Sequence, residues 1–404
     1  MPDYKGISYL RRKLAQKKNR IALRYKYYDM KNVVKDFGIS TPPDLRYWMG
    51  SLGWCGKAVD ALADRLSFRE FGNDVFDMNG VFEANNRDVL IDSAILGALI
   101  SSCDFIYITA GEDGYPLMRV VDGRHATGVM DPVTNMLKEG YAVLEFDEYD
   151  HPIIEAYFIP GSTTIIEKGK EEYTVPNAAP YPLLVPMVYK PDAVRPFGHS
   201  RITRACMSIV GSAIRTAKRS EIAAEFYSYP QKYILGMDPN ADRMEKWKAS
   251  MSSLIQITKD EDGDKPTAGQ FQQASMAPHT EQLRMFAGMF AGETGLTLDD
   301  LGFPSQNPSS SEAIKAAHEN LRLMARKAQK NFGVGLLNAG YLAACVRDNY
   351  PYLRNQVART TLRWDPIFEA DASALGGIGD AVQKIQTSFP DYFTEEKLKE
   401  LTGI

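Results

Sequence analysis

Apolar residues recur at helical spacing through the first hundred residues of this chain. This pattern predicts a basic helix over residues 8–32, an amphipathic helix over 45–66 and a helix with one buried face over 85–102. From Phe105 to Tyr189 the apolar positions alternate, and turn residues separate short runs. Alternation of this kind predicts a mostly antiparallel β unit. Its predicted strands are residues 105–109, 117–121, 141–146, 153–158, 163–166 and 183–187.

The second half of the chain returns to helical spacing. Helices are predicted from residue 199 to about 227 and from 278 to 294, on either side of a small insert, residues 231–276. The insert is predicted to hold a strand at 233–235, a helix at 241–251, a second strand at 254–258 and an acidic turn at 260–264.

The longest helical pattern runs over about residues 309–348. A capping-box signature, Ser309-x-x-Glu312, marks its start. Gly333, Gly335 and Gly340 interrupt it, and each costs a helix about 1 kcal/mol relative to alanine, so a bend is predicted there. A strand at 359–364 and two short helices complete the chain.

Composition is that of a globular protein with two or three packed units. The 404 residues are 44% hydrophobic and 24% charged, and the net charge of −4 gives no overall nucleic-acid footprint. The charge is uneven, because residues 11–31 hold nine Lys and Arg against one acid, Asp29. This basic helix is either a solvated face or a patch that meets DNA or an acidic partner.

No pattern in the chain predicts catalysis, a cofactor or a metal. The four cysteines form no CxxC pair, and the five histidines are scattered. Residues 51–58 have Ser51 in place of the first glycine and Ala58 in place of the Ser/Thr of a phosphate loop. Residues 258–269 lack the acids that a calcium loop needs at its ends. No run approaches 18 apolar residues and no secretory leader is visible, which predicts a protein without a membrane segment.

The stretch between Arg284 and Lys315 contains no positive charge. It starts in a helix rich in small residues, continues through an acidic loop broken by proline, and ends in the next helix. Cationic side chains would hold a passing polyanion through phosphate contacts, whereas a loop of Asp, Ser, Gln and Asn would not. The layout therefore favours a loop that borders the path of a polyanion.

Several motifs resemble the portal proteins of tailed bacteriophages, in the group found mainly in phages with long non-contractile tails. They are residues 27–29, 59–66, Pro196–Ile202 at the start of a long helix, Tyr229–Tyr233 at its end, Glu293–Thr297, Leu301-Gly302 and Asn307–Ile314. Met30 stands where the family usually has glycine.

The resemblance implies an α+β portal fold assembled as a ring, usually of twelve subunits, at one capsid vertex. It divides the chain into an N-terminal part of the wing (residues 1–198), a first stem helix (199–230), a clip (231–277), a second stem helix (278–294), a tunnel loop (295–311), a bent wing helix (312–348) and a C-terminal wing with a short crown (349–404).

It also implies roles for individual residues. The tunnel-loop residues that would line the DNA channel are Thr297, Asp299, Asp300, Ser305, Gln306, Asn307 and Ser309. Lys232, Trp247, Asp260 and Asp262 would lie on the partner-binding clip. Arg215, Lys218 and Arg219 on the first stem helix would face either DNA or a neighbouring subunit.

The implied function is a non-enzymatic channel for DNA packaging and ejection that also attaches head to tail. Its implied partners are copies of itself, double-stranded DNA, the terminase packaging motor, the head–tail adaptor and the major capsid protein, with no membrane. The protein would reside in the virion, and in the host cytoplasm during assembly. The alternatives are another head–tail connector or minor head ring protein, or a DNA-acting enzyme with a carboxylate metal cluster.

Overall fold

The computed structural model describes residues 4–36, 50–111, 114–228, 232–235, 267–270, 275–304, 311–368, 372–390, 392–394 and 398. Helices and strands are mixed, which confirms the α+β class. The chain forms two compact units: one holds residues 1–32, 53–207 and 294–404, and the other holds residues 33–52 and 208–293.

The described helices are α1 (Ile7–Tyr28), α2 (Trp54–Ala63), α3 (Met78–Ala84), α4 (Arg87–Ser101), α5 (Arg204–Ser228), α6 (Ala277–Thr294), α7 (Ser311–Ala317), α8 (Glu319–Arg347) and α9 (Ala372–Ser388). Two 3₁₀ helices span Asp299–Leu301 and Arg354–Arg359. The strands are β1 (Phe68–Gly72), β2 (Cys103–Thr109), β3 (Leu117–Val121), β4 (Ala126–Met130), β5 (Leu137–Phe146), β6 (Pro152–Ile159), β7 (Ser162–Glu167), β8 (Tyr173–Pro176), β9 (Leu184–Val188), β10 (Lys232–Leu235), β11 (Thr267–Gln270) and β12 (Thr361–Trp364).

The first unit contains the predicted antiparallel β region. Its strands form a three-stranded sheet in the order β3-β2-β9 and a five-stranded sheet in the order β4-β5-β6-β7-β8, and every pairing is antiparallel. A third sheet pairs β1 with β12, so that Phe68 lies opposite Trp364. β1, β4, β8 and α3 were not predicted from the sequence.

The core of this unit lies where α4 and α8 pack against β2 and β9. The buried side chains there include Leu99 of α4, Phe105 of β2 and Phe332 of α8. A Cβ atom added at Gly335 would lie 2.5 Å from the Met187 sulfur of β9, and one added at Gly333 would lie 3.1 Å from Leu362 of β12. These glycines therefore let α8 approach the sheets closely.

The glycines do not interrupt the helix, and the bend predicted at Gly333, Gly335 and Gly340 stays a prediction. α8 runs without a break through all three glycines. The interruption lies instead at His318, between α7 and α8.

The basic helix α1 is neither a fully solvated face nor a patch wholly available to DNA or an acidic partner, because some of its cations face the protein interior. Lys13 and Lys17 donate to the carbonyl oxygens of Gly128 and Ala126 on β4, at 2.7 and 2.6 Å. Arg24 donates to the carbonyl of Ser101 at 2.6 Å. Burial lowers the pKa of Lys17 to about 8. These cations satisfy backbone acceptors that the sheet edge and the end of α4 leave open.

The second unit contains most of α5 and α6 and the antiparallel pair of β10 and β11. Thr216 of α5 donates to the side-chain oxygen of Gln282 on α6 at 2.9 Å. β10 matches the first predicted strand of the insert, but its partner is β11. The predicted helix at 241–251 and strand at 254–258 lie outside the described residues.

The small residues of α6 fall into two groups. Ala287 and Ala291 are buried. Gly288 and Gly292, however, have no atom within 4 Å of an added Cβ.

Within the described part of the chain, no helix combines the length and the apolar character that crossing a bilayer would need.

Candidate functional site

The acidic loop after α6 begins as a compact turn. Gly295 ends the helix in the left-handed region, with φ of 70°, which glycine adopts without a steric penalty. The amide of Leu301 donates to the carbonyl of Leu298 at 3.1 Å, and the amide of Phe303 donates to the same oxygen at 3.0 Å. Local hydrogen bonds therefore fix the backbone of the loop up to Phe303.

Asp300 stabilises this turn through its carboxylate. The Thr297 amide and hydroxyl both donate to Asp300 Oδ2 at 2.9 Å, and the Asp300 amide donates back to the Thr297 hydroxyl at 3.2 Å. His318 Nε2 lies 3.2 Å from the same carboxylate oxygen. Burial opposes ionisation, but the hydrogen bonds from Thr297 and the contact with His318 outweigh it and lower the pKa of Asp300.

The predicted channel residues consequently divide into two groups. Thr297 and Asp300 hold the turn together, whereas the Asp299 side chain is exposed. Ser305, Gln306, Asn307 and Ser309 lie outside the described residues.

Arg201 anchors the start of this loop from the interior of the first unit. Its side chain is 6% exposed. Nε donates to the carbonyl of Ala58 on α2 at 3.1 Å, Nη2 donates to the carbonyl of Thr294 at the end of α6, and Nη1 lies 3.1 Å from the Met324 sulfur on α8. The guanidinium fork suits this task, since it offers several donors in a fixed plane.

The residue before Arg201 closes the end of another helix. The Ser200 hydroxyl donates to the carbonyl of Ile100 at 2.6 Å, and the Arg201 amide donates to that of Leu99 at 2.8 Å. Both carbonyls lie in the last turn of α4, where no helical amide can reach them. The segment Pro196–Ile202 thus ties α2, α4, α8 and the start of the acidic loop together.

Sequence reasoning singled out the motif around Arg201 but gave this arginine no role. The available signal was its position, a cation just before a helix whose apolar residues predict burial. Buried arginines are rare unless they are paired or hydrogen-bonded, so this signal points to an anchoring role.

The stem residues also differ from one another. Lys218 is 5% exposed and its Nζ lies 2.6 Å from Asp36 Oδ2, so this cation forms an ion pair inside the second unit. Its predicted role at DNA or a neighbouring subunit stays a prediction. Arg215 donates to the Ser212 hydroxyl at 3.0 Å, and Arg219 is partly exposed on the same helix.

The predicted clip residues are described only at one position. Lys232 begins β10, opposite Gln270 of β11. Trp247, Asp260 and Asp262 lie outside the described residues.

Comparisons with known proteins cover most of the chain. No family model matches it. The portal protein of Mycobacterium phage L5 is 25% identical over 335 residues, which cover 78% of this chain and 68% of that protein. The portal protein of Mycobacterium phage D29 is 25% identical over 325 residues, covering 76% of this chain and 66% of that protein. The chain thus spans about two thirds of the length of both relatives.

Two solved structures show a more distant likeness. The neck of an empty gene transfer agent particle, computed with C6 symmetry, is 13% identical with a TM-score of 0.49, covering 91% of this chain and 95% of that one. The virion of a native gene transfer agent particle is 12% identical with a TM-score of 0.47, covering 87% and 89%. The sequence similarity to the two phage proteins confirms the resemblance to tailed-phage portal proteins that the motifs indicated.

Proposed function

We propose that this chain is a portal subunit, and that copies of it close into a ring of about twelve around a channel for double-stranded DNA. The ring would occupy one capsid vertex of the virion, serve genome packaging and ejection, and attach head to tail. The observation that carries the proposal is the similarity to two portal proteins over more than three quarters of the chain.

The charge of the acidic loop supports a channel role. Residues 285–314 contain no cation, and Asp299 is exposed on a turn with a fixed backbone. A loop of this kind repels phosphate and offers it no counterion-releasing contact. We assign the channel lining to Asp299 together with Ser305, Gln306, Asn307 and Ser309, and we assign Thr297 and Asp300 to the support of the turn.

The remaining predicted residues would contact the partners of the ring. Lys232, Trp247, Asp260 and Asp262 would meet the terminase motor and later the head–tail adaptor, while the wing would meet the major capsid protein. Arg215 and Arg219 would contact a neighbouring subunit. Hydrolysis of ATP would belong to the separate motor, and the ring itself would be non-enzymatic.

Electron microscopy of the purified full-length protein tests the proposal directly. We expect rings with a central hole that admits duplex DNA, and retention of the packaging motor on immobilised rings. A compact monomer would contradict the proposal. Rings that bind an adaptor but never the motor would favour another connector of the virion.

A further inference from the structure

Helix α9, near the end of the chain, carries an apolar seam along one side. The seam consists of large apolar residues whose spacing alternates between three and four, namely Leu375, Ile378, Val382, Ile385 and Phe389. Phe389 follows the last helical residue, and its amide still donates to the carbonyl of Ile385 at 2.8 Å. This spacing places all five side chains on one face of the helix.

Water reaches the seam in the isolated chain. Ile385 is 38% exposed and Phe389 is 65% exposed, while the other three residues are half-buried. Among the described elements, none packs extensively against α9. Single exposed apolar side chains are normal on a protein surface, whereas a contiguous apolar stripe indicates an interaction site.

The glycines of α9 increase its need for a partner. Gly376, Gly377 and Gly379 each destabilise a helix relative to alanine. A Cβ atom added at any of them would meet nothing within 4 Å, so no close packing within the chain offsets that cost. At 17 residues, a helix of this composition is marginal in water by itself. Burial of the seam is the contribution that can stabilise it.

A second copy of α9 fits this seam. Alternating spacings of three and four let two helices interlock their side chains along a coiled coil. The positions that flank the seam hold no charge, since they are Gly379, Ala381, Gln386 and Ser388. The two charged residues of the helix, Asp380 and Lys384, occupy outer positions of the same repeat. Two identical seams therefore meet without bringing like charges together.

The last residues of the same chain match the seam less well. Their large apolar residues, Leu398, Leu401 and Ile404, are three apart and lack the alternation of three and four. Residues 395–400 hold five charges in six positions. The seam of another α9 is the better match in both spacing and charge.

We propose that α9 is an interaction surface for a second copy of this chain, in which the seams of two α9 helices pack against each other. The helix pair joins two subunits, and a ring with an even number of subunits leaves no α9 without a partner. The pairing of two copies stands by itself, whereas its place in a ring rests on the proposed function.

Cysteine crosslinking of the full-length protein tests the pairing. The four native cysteines are buried, so a short bismaleimide should react with a cysteine added on α9 and leave the wild-type chain uncrosslinked. Val382 is the midpoint of the seam, so in Val382→Cys the two thiols meet whichever way the helices run. We expect covalent dimers at a yield about tenfold or more above that of Thr387→Cys, an exposed position on the opposite face of the repeat.

A charge placed in the seam should separate the two helices. In the Val382→Cys background, Ile385→Asp should lower the yield of dimers about tenfold or more, because the carboxylate would lose water without gaining a partner. Lys384→Asp, at the neighbouring exposed position outside the seam, is the matched control and should leave the yield unchanged.

The pairing is overturned if Val382→Cys stays monomeric under the crosslinker, which would point to the chain's own last residues as the cover of the seam. It is also overturned if Thr387→Cys gives as much dimer, or if Ile385→Asp leaves the yield unchanged. Failure of the proposed function has a different signature. Crosslinked dimers in protein that forms no rings would contradict the portal assignment and keep the helix pair, whereas rings without this crosslink would keep the assignment and remove the pair.

Discussion

At the scale of single residues, Gly97 shows how a buried charge dictates its neighbour. It lies inside α4, and a Cβ atom there would be 1.8 Å from Oδ2 of Asp104. The carboxylate cannot move aside easily, because its Oδ1 accepts from the Ser101 hydroxyl at 2.6 Å and from the Gly123 amide at 2.9 Å. Glycine at this position makes room for a carboxylate that is 2% exposed.

Gly97→Ala should therefore destabilise the protein although alanine is the better helix former. Overpacking costs about 1–3 kcal/mol and the gain in helix propensity is about 1 kcal/mol, so a net loss of up to about 2 kcal/mol is expected in denaturant unfolding. Gly377→Ala in α9 is the matched control, since its added methyl meets nothing within 4 Å. Equal midpoints for the two variants would contradict the steric explanation.

Asp104 also makes stability depend on pH. Burial, and next the charge of Asp122, raise the pKa of this carboxyl to about 7. A raised pKa in the folded state means that the native protein binds this proton more tightly than the unfolded chain. The stabilisation is then complete below the unfolded pKa and is lost as pH rises towards 7.

Asp104→Asn should remove this contribution, because its amide oxygen can keep the bonds from Ser101 and Gly123 without a charge. The difference in unfolding free energy between variant and wild type should move in favour of the variant from about pH 4 to pH 7, by up to about 1.4 kcal/mol per pH unit. Chemical denaturation at several pH values measures it. A difference that is constant with pH would show that Asp104 has the same pKa in both states.

At the scale of elements, the Arg201 guanidinium contacts α2, α8 and the end of α6. Arg201→Lys keeps the charge but loses the fork, so it can satisfy only one of the carbonyls of Ala58 and Thr294. The loss of one hydrogen bond from a charged group costs about 1.5–3 kcal/mol, and thermal unfolding should report a loss of that size. Arg204→Lys, at an exposed position three residues on, should be nearly silent.

The exposed side of α6 offers a second test at this scale. Gly288 and Gly292 have open space beside them, so alanine at each should stabilise the protein by about 0.5–1 kcal/mol through helix propensity. Denaturant unfolding of the two single variants measures the gain. A loss of stability, or failure to assemble, would instead show that these glycines contact another copy of the chain.

The local sequence pattern was enough to predict elements whose partners are near in sequence. The prediction of a helix over 85–102 matches α4, and the alternation over 153–158 matches β6. The strand predicted at 359–364 likewise matches β12. The pattern was not enough for β1 or for its pairing with β12, because that sheet is formed between segments whose Arg363 and Glu70 lie 293 residues apart. Short strands of this kind carry little period-two signal of their own.

The candidate site likewise has features that are local in sequence and contacts that depend on tertiary structure. The charge pattern was enough to single out Asp299 and Asp300, since an acidic turn is a local property. It could not show that the Asp300 carboxylate accepts hydrogen bonds from Thr297 and contacts His318, or that Lys218 is paired with Asp36. Those contacts depend on tertiary placement, which sequence spacing alone does not encode.

At the scale of the whole molecule, the proposed channel is best tested where charge can change without breaking the turn. Asp300 is unsuitable, because its carboxylate holds Thr297. Asp299 is exposed in the same turn and does not hold Thr297, so Asp299→Lys should keep the hydrogen bonds between Thr297 and Asp300 while placing a ring of cations along the proposed DNA path. Glu171→Lys, an exposed acid between β7 and β8, makes the same change in charge elsewhere.

Particles assembled with Asp299→Lys should contain less DNA, because each lysine adds a phosphate contact that retards a moving polyanion. We expect a fall of about tenfold or more in nuclease-protected DNA, partly relieved by added salt, since counterion release weakens as salt rises. Particles with Glu171→Lys should fill normally. Normal filling of Asp299→Lys particles that carry correctly formed rings would show that this turn does not border the DNA, and would move the channel lining to another part of the chain.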